Sequence, residues 1–261
     1  MKLFNFFIIK ENNKGTRLQA VVSIIIACVA FLGFFFWSVS RLGLTLDFST
    51  LFVFRYRIFD GFITTIELSI VSLILSLLIG FVSALGTKSR ILPLVYFCQV
   101  YVQFIRGTPL IMQVYLFFYI IGTAWNITDR FIAGVLILSI FSGAYISEII
   151  RGGLDSIDAT QLEAAKAVGL NNSQTLRLVV LPQLTARILP ALAGQFASII
   201  KDSSLLSLIS VIELTQTIRE ISATNFAIFE CYLFLGLLYL SLTLPLSMLT
   251  KVLERRFKYE N

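Results

Sequence analysis

The chain has no histidine, so the side chains able to do chemistry are carboxylates, amines, guanidiniums and a few hydroxyls and thiols. Several charges stand inside or beside long apolar runs: Glu67, Arg106, Glu148 with Arg151, and the pair Lys201-Asp202. A charge at membrane depth costs about 2.5 kcal/mol or more, so it is expected to face protein or water rather than lipid. Glu67 has no obvious partner nearby in sequence and is expected to face a translocation path, where it would meet a cationic group. Lys201-Asp202 interrupts an apolar segment, and Asp202, Ser203 and Ser204 could cap a fresh helix beginning at Leu205. A span broken there would line a substrate path, because freed backbone groups need a polar cavity. The alternative is a salt bridge pinning two spans, or an interfacial break with Lys201 snorkelling. Pro109 suits the first turn of a helix, which puts Arg106 just before that turn, at the inner interface, as a structural anchor, with a ligand contact as the alternative. Glu148 and Arg151, three residues apart, are expected to form a local helix pair.

Other chemistry is excluded. Without histidine, the usual serine or cysteine triads cannot form, and histidine-ligated metal sites are absent. Cys28, Cys98 and Cys231 lie far apart in apolar runs and read as small buried hydrophobes rather than metal ligands. Gly86-Thr87-Lys88-Ser89 lacks the spacing of a phosphate-binding loop. No enzyme is expected in this chain, and energy for any work it does must come from another chain or from an ion gradient.

The elements that must position these residues are membrane spans. The chain of 261 residues is 57% hydrophobic and 14% charged, with mean hydropathy +0.87. That balance is too apolar for a soluble globule. A span needs about 20 apolar residues, and six segments qualify: 19–40, 61–86, 95–123, 130–150, 188–212 and 228–250. The first follows Lys2, Lys10, Lys14 and Arg17, but its apolar core is too long for a cleaved signal and no cleavage site follows. It is read as an uncleaved span. With both termini cytoplasmic, the inner side holds those four residues and Lys88, Arg90, Arg151, Lys166, Arg177, Arg187, Lys251, Arg255, Arg256 and Lys258. The outer side holds Arg41, Arg55, Arg57, Arg130 and Arg219, so the positive-inside bias favours this orientation. Pairs of small residues four apart, Gly80/Ala84, Ser139/Gly143 and Ala193/Ala197, would allow close helix approach.

The longest polar interruption, 151–187, then falls in the cytoplasm. Asp158 can cap a helix with Gln161 as its capping-box partner. Leu162, Ala165 and Val168 recur at helical spacing, and Gly169 ends the helix. Asn171-Asn172-Ser173 caps a second helix, Gln174 to Leu181, which is expected to break near Pro182. The small Ala164 and Ala165 give the first helix a low profile fit for a partner's groove, and Glu163 sits near its N-terminal half, where the helix dipole favours it. An ordinary interfacial amphipathic helix is the alternative.

Glu163-Ala-Ala-Lys-Ala-Val-Gly169, followed by Leu181-Pro182, resembles the EAA loop of ABC importer permeases. Further segments resemble the polar amino acid branch of that family: Gly61 to Ser69, Tyr101 to Leu110, Ser142 to Gly153, and Lys201 to Leu205. The likeness covers about 60–256. Thr160, Gln103 and Ser203 stand where the family more often has Gly, an acidic residue and Thr. The resemblance implies an all-α membrane protein: a five-helix type I importer core plus one extra N-terminal span, about six transmembrane helices in all. It divides the chain into 1–59, a transmembrane domain 60–256 with its EAA loop at about 158–183, and a tail 257–261. It further implies ATPase coupling through Glu163, Ala164, Ala165, Gly169 and Pro182. Substrate-path candidates are Glu67, Lys201, Asp202 and Ser203, while Arg106, Pro109, Glu148 and Arg151 are structural. Implied partners are a cytoplasmic ABC ATPase dimer carrying ATP and Mg, a second permease copy or a similar permease, and an extracytoplasmic binding protein, all at a bacterial inner membrane. A transporter driven by an ion gradient, or a non-transporting membrane scaffold, would share the spans but gives no reason for the loop.

Overall fold

The structure is a computed structural model describing residues 17–41, 43 and 46–257. Lys2, Lys10, Lys14 and Lys258, used in the charge count, lie outside the described residues. The chain divides into two units, at Asp47/Phe48. The described part of the first is essentially one helix, α1 (Arg17–Arg41), whose stretch from Val21 on is apolar and long enough to span. Cys28 is on it and is exposed, against expectation, because a lone helix has no core to bury a thiol. Cys98 and Cys231 are buried as expected.

The second unit is a helical bundle without a strand among the described residues. In chain order it comprises α2 (Ser49–Val53), α3 (Arg55–Thr87), α4 (Leu92–Gly107), α5 (Leu110–Tyr115) running into a π-helical segment Leu116–Gly122, and α6 (Arg130–Asp155). Then come α7 (Ala159–Ala167), α8 (Asn172–Thr175), a π turn Leu176–Val180, α9 (Leu181–Asp202), a 3-10 stretch Ser203–Ile209, α10 (Leu214–Asn225) and α11 (Ile228–Arg256). Among the described residues, five helices are long and apolar enough to cross a membrane, α1 among them, and α4 with α5 adds a sixth if the bent pair counts as one.

The centre of the unit is the seam between α3 and α6, the most extensively packed pair. Small residues make it possible. A Cβ on Gly80 would stand 2.6 Å from the Ile146 side chain, and one on Gly143 would stand 2.8 Å from Ile79. The two small-residue motifs predicted on separate segments thus meet each other. Two seam serines, Ser69 and Ser139, are satisfied within their own helix. Ser69 donates to the Thr65 carbonyl at 2.6 Å and Ser139 to the Val135 carbonyl at 2.6 Å, so neither hydroxyl is stranded in a low-dielectric contact. Ser72 donates across the seam to the Val135 carbonyl at 3.5 Å, while Ser83, Ser142 and Ser147 are buried with no partner for their hydroxyls among the described residues. Leu68, Leu138, Ile199 and Leu206, all fully buried, extend the core to α9 and the 3-10 stretch.

Salt bridges and cavities define two ends. Lys88, just past α3, pairs with Asp155, the last residue of α6. Near the starts of the same helices, Arg57, Asp60, Asp129 and Arg130 line one cavity. Hence α3 and α6 run the same way, and α4–α5 must carry the chain back between them. Arg187, near the start of α9, donates to the Ser156 carbonyl, whereas Ser210 and Val211 reach the cavity with Arg57. Helix α11 returns, so that Glu254 and Arg255 share a groove with Ala186 and Arg187. One end therefore carries α7, and the other carries Arg57.

Three expected features take a different form. The segment 95–123 is two helices meeting at 113°. The residue before a proline is driven to extended backbone, and Thr108 adopts φ −123°, ψ 149°, ending α4. The buried Gln113 amide stitches the corner by donating to the Ile105 carbonyl at 2.8 Å and Thr108 Oγ1 at 2.7 Å. Second, Pro182 does not break its helix. It sits at the start of α9 directly after the π turn, whose wider winding leaves room for a residue without an N–H. Third, no helix begins at Leu205. The α-helix tightens into 3-10 winding after Asp202 and ends at Ser210, φ 57°. The fresh helix is α10, capped by Glu213, which accepts from Thr215 N at 2.8 Å and Gln216 N at 2.7 Å.

Candidate functional site

The helix–turn–helix at the α7 end is built as a projecting element. Asp158 caps α7 by accepting from Thr160 N at 3.0 Å, and that backbone contact holds its carboxyl below the usual range. Gln161 does not close a capping box there. Its side chain instead accepts from Gln183 at the start of α9, tying the two helices together. The capping box forms one helix later, between Asn171 and Gln174, with both bonds at 2.9 Å. Helix α7 ends as expected. Gly169 takes φ +82°, and Leu170 N donates to the Ala165 carbonyl at 3.0 Å, the paired closure that a left-handed residue permits. Of the coupling candidates, Ala165 is buried against the chain, while Glu163, Ala164, Gly169 and Pro182 are exposed. Val168 is 75% exposed. A short helix held at both ends and presenting Glu163, Ala164 and Val168 outward is shaped to be contacted by another molecule.

Beside it the same end opens into a cavity of about 790 Å³. Its charged rim joins three helices. Arg106 at the end of α4 donates to Glu148 at 2.8 Å. Arg151 grips the same carboxylate with two bonds, at 2.7 and 3.0 Å. It also donates to Asp155 at 2.9 Å, and Asp155 in turn pairs with Lys88. The Arg106 guanidinium also lies 5.7 Å from the centre of the Tyr145 ring. The predicted Glu148–Arg151 pair is present, and so are three residues that sequence spacing did not join to it: Arg106, Lys88 and Asp155. Pro109 takes the N-cap position of α5 and sets the corner behind Arg106.

The substrate-path candidates are not gathered into one pocket of this chain. Glu67 lies about three turns into α3 on an exposed face with Ile70, Val71 and Ile74. It makes no ion pair among the described residues. A carboxylate inside an apolar span is costly to leave against lipid. Lys201 is exposed and Asp202 half-buried, at the point where the helix tightens. Ser203 is fully buried and donates to the Ile200 carbonyl at 2.8 Å.

Sequence reasoning missed Glu213. It is fully buried, caps α10 and accepts from the Tyr239 hydroxyl at 2.9 Å, joining α10 to α11. The signal was present in Glu213-Leu-Thr-Gln216, since a carboxylate ahead of a helical run is a cap.

Residues 76–259 match the family described as "Binding-protein-dependent transport system inner membrane component". The chain is 39% identical over 198 residues to the L-cystine transport system permease protein TcyB of Bacillus subtilis (strain 168), covering 75% of this chain and 84% of that one. It is 36% identical over 214 residues to the glutamine transport system permease protein GlnP of Escherichia coli (strain K12), covering 81% and 98%. Among solved structures, one described as an amino acid ABC transporter with histidines superposes with TM-score 0.75 at 34% identity, over 82% of this chain and 100% of that one. An inward-facing MetNI methionine ABC transporter, at 15% identity and TM-score 0.62, shares the fold.

Proposed function

We propose, from the premise that this chain belongs to the family of binding-protein-dependent transport system inner membrane components, how its geometry serves transport. It is a permease subunit of an ATP-driven importer for polar amino acids. An ion-gradient drive is set aside on the same ground. The observation that carries the rest is the form of α7, a helix pinned at both ends with Glu163 and Ala164 turned outward.

On this reading α7 enters a groove on a cytoplasmic ATPase subunit, which binds ATP and Mg. Both termini of the permease are then cytoplasmic, as the positive-inside bias suggests. A second permease, identical or similar, covers the face bearing Glu67, and the two chains enclose the path. A binding protein outside delivers substrate at the Arg57 end. Glu67, Lys201, Asp202 and Ser203 are assigned to the path, with Ser203 reaching it only when the 3-10 stretch rearranges. Motion of the ATPases is carried through α7 to α6 and α9, exposing the path alternately to either side.

The test uses the reconstituted transporter with its ATPase and binding protein. Glu163→Ala and Gly169→Val are expected to leave the permease in the membrane but uncouple ATP hydrolysis from uptake. The ratio of amino acid imported to ATP hydrolysed should fall about tenfold, as expected when an interface contact worth more than about 1.4 kcal/mol is lost. Normal ratios in both variants would end the coupling role of α7.

A further inference from the structure

We propose that the charged mouth beside α7 is a binding site for a free α-amino acid, separate from the path through the membrane, where transported product on the ATPase side slows further import. This rests on the amino acid reading above and goes beyond it, by assigning a second site and a regulatory consequence.

The chemistry follows from the rim. Arg106 and Glu148 hold each other across two helices by a single bond of 2.8 Å, and both side chains are partly exposed, 43% and 24%. Glu148 keeps a second cation, since Arg151 grips it with two bonds of its own. The Arg106–Glu148 contact is therefore the replaceable link in the rim. An α-amino acid carries a carboxylate and an ammonium on one carbon. Inserted there, its carboxylate takes the Arg106 fork and its ammonium donates to Glu148, so every charge that was paired stays paired. A simple anion on Arg106 would leave Glu148 with Arg151 alone, and a simple cation on Glu148 would leave Arg106 without a carboxylate. The requirement for both groups on one molecule selects amino acids over other small ions.

The space beyond suits a polar side chain. The cavity of about 790 Å³ lies within the range of ligand sites, about 300–1,000 Å³. Gln99 and Gln103, both exposed on α4, line it. Their amides offer donors and acceptors to a side chain such as that of glutamine. Position gives the consequence. Asp155 and Ser156 connect the rim to Asp158, the cap of α7. A ligand that parts Arg106 from Glu148 props α4 away from α6 next to the coupling helix, and opposes the closing movement that import needs.

The experiment uses the complete transporter in vesicles with the ATPase face and ATP inside, and binding protein with radiolabelled L-glutamine or L-cystine outside. The probe is whichever of the two the wild type imports, and its unlabelled form is loaded inside at graded concentration. The readout is the initial uptake rate of loaded vesicles relative to empty ones, each variant against itself. Lumenal amino acid is expected to slow the wild type. The half-inhibiting concentration should rise about tenfold in Arg106→Gln and in Glu148→Gln, each of which removes one charge-assisted hydrogen bond. Analogues of the probe lacking the α-amino or the α-carboxyl group should inhibit about tenfold more weakly than the probe itself. Arg106→Lys and Glu148→Asp, which keep the charge but change its reach, serve if the neutral variants fail to assemble, and a rise in the half-inhibiting concentration is expected for them too. Uptake indifferent to lumenal amino acid, or inhibition equal in wild type and variants, or equal inhibition by the truncated analogues, overturns the mouth site alone. A wild type that imports neither probe counts instead against the amino acid reading; binding of radiolabelled L-glutamine to the purified transporter, compared between wild type and Arg106→Gln, then decides the mouth directly, and equal binding overturns it.

Discussion

Single charged residues differ here in how far they are committed. Glu213 is fully used, with two backbone donors and the Tyr239 hydroxyl on one carboxylate. Glu148 is used by two arginines. Glu67 makes no ion pair among the described residues and stands on an apolar, exposed face. On the proposed reading this carboxylate faces the path and meets the α-ammonium of the substrate. Glu67→Gln is then expected to raise KM for at least one imported amino acid about tenfold, the effect of losing one charge-assisted hydrogen bond. Unchanged uptake kinetics for every amino acid moved would remove Glu67 from the path. Its isolation was legible in the sequence, because no opposite charge lies within a helical turn of it. The commitment of Glu148 was legible only in part, because Arg151 is three residues away whereas Arg106 is brought in by a corner 42 residues earlier in the chain.

At the level of elements, sequence reading succeeded where a local rule acts alone. Gly169 after Lys166-Ala-Val had to take the left-handed region, and it does, at φ +82°. Spans were found because apolar length is a property of one segment. What escaped was geometry arising between segments. Thr108-Pro109 ends a helix by a local rule, but the 113° corner is fixed by Gln113 reaching back across it. The tolerance of Pro182 depends on π winding just ahead of it, which no periodicity announces. Likewise, Gly80 and Gly143 each read as a weak packing motif, and their meaning comes from facing each other. Gly80→Leu would have to displace Ile146, which even a Cβ at position 80 would meet at 2.6 Å. Overpacking of that kind costs about 1–3 kcal/mol or more, so the melting temperature of the purified permease is expected to fall. Gly236→Leu on α11, where a Cβ meets nothing within 4 Å, is the control and should leave it unchanged. Equal melting temperatures for the two variants would show that the seam is looser than the packing implies.

For the whole molecule, α3 and α6 run in the same direction while α9 runs against them, so the second unit carries α7 and the end of α11 together at one end and Arg57 at the other. If that first end is cytoplasmic, a membrane-impermeant maleimide added to intact cells should label Asp129→Cys and not Gly169→Cys in a background with Cys28, Cys98 and Cys231 replaced. The opposite pattern would invert the permease and end the proposed contact with an ATPase. The continuous helix Asn172–Ile209 has 38 residues. At about 1.5 Å per residue it measures about 57 Å, nearly twice the hydrocarbon thickness of about 30 Å. If α7 is driven by an ATPase as proposed, such a rod would work as a lever. Its fulcrum is the grip of Ile199 and Ile200 in the core, its long arm reaches back to the capping box at Asn171, and its short arm carries Lys201 and Asp202. On the proposed reading, a small sideways push at the long arm would arrive at the short arm as a rotation, geared down in distance and up in force, with the π turn at Leu176–Val180 as the place where the stroke could be absorbed.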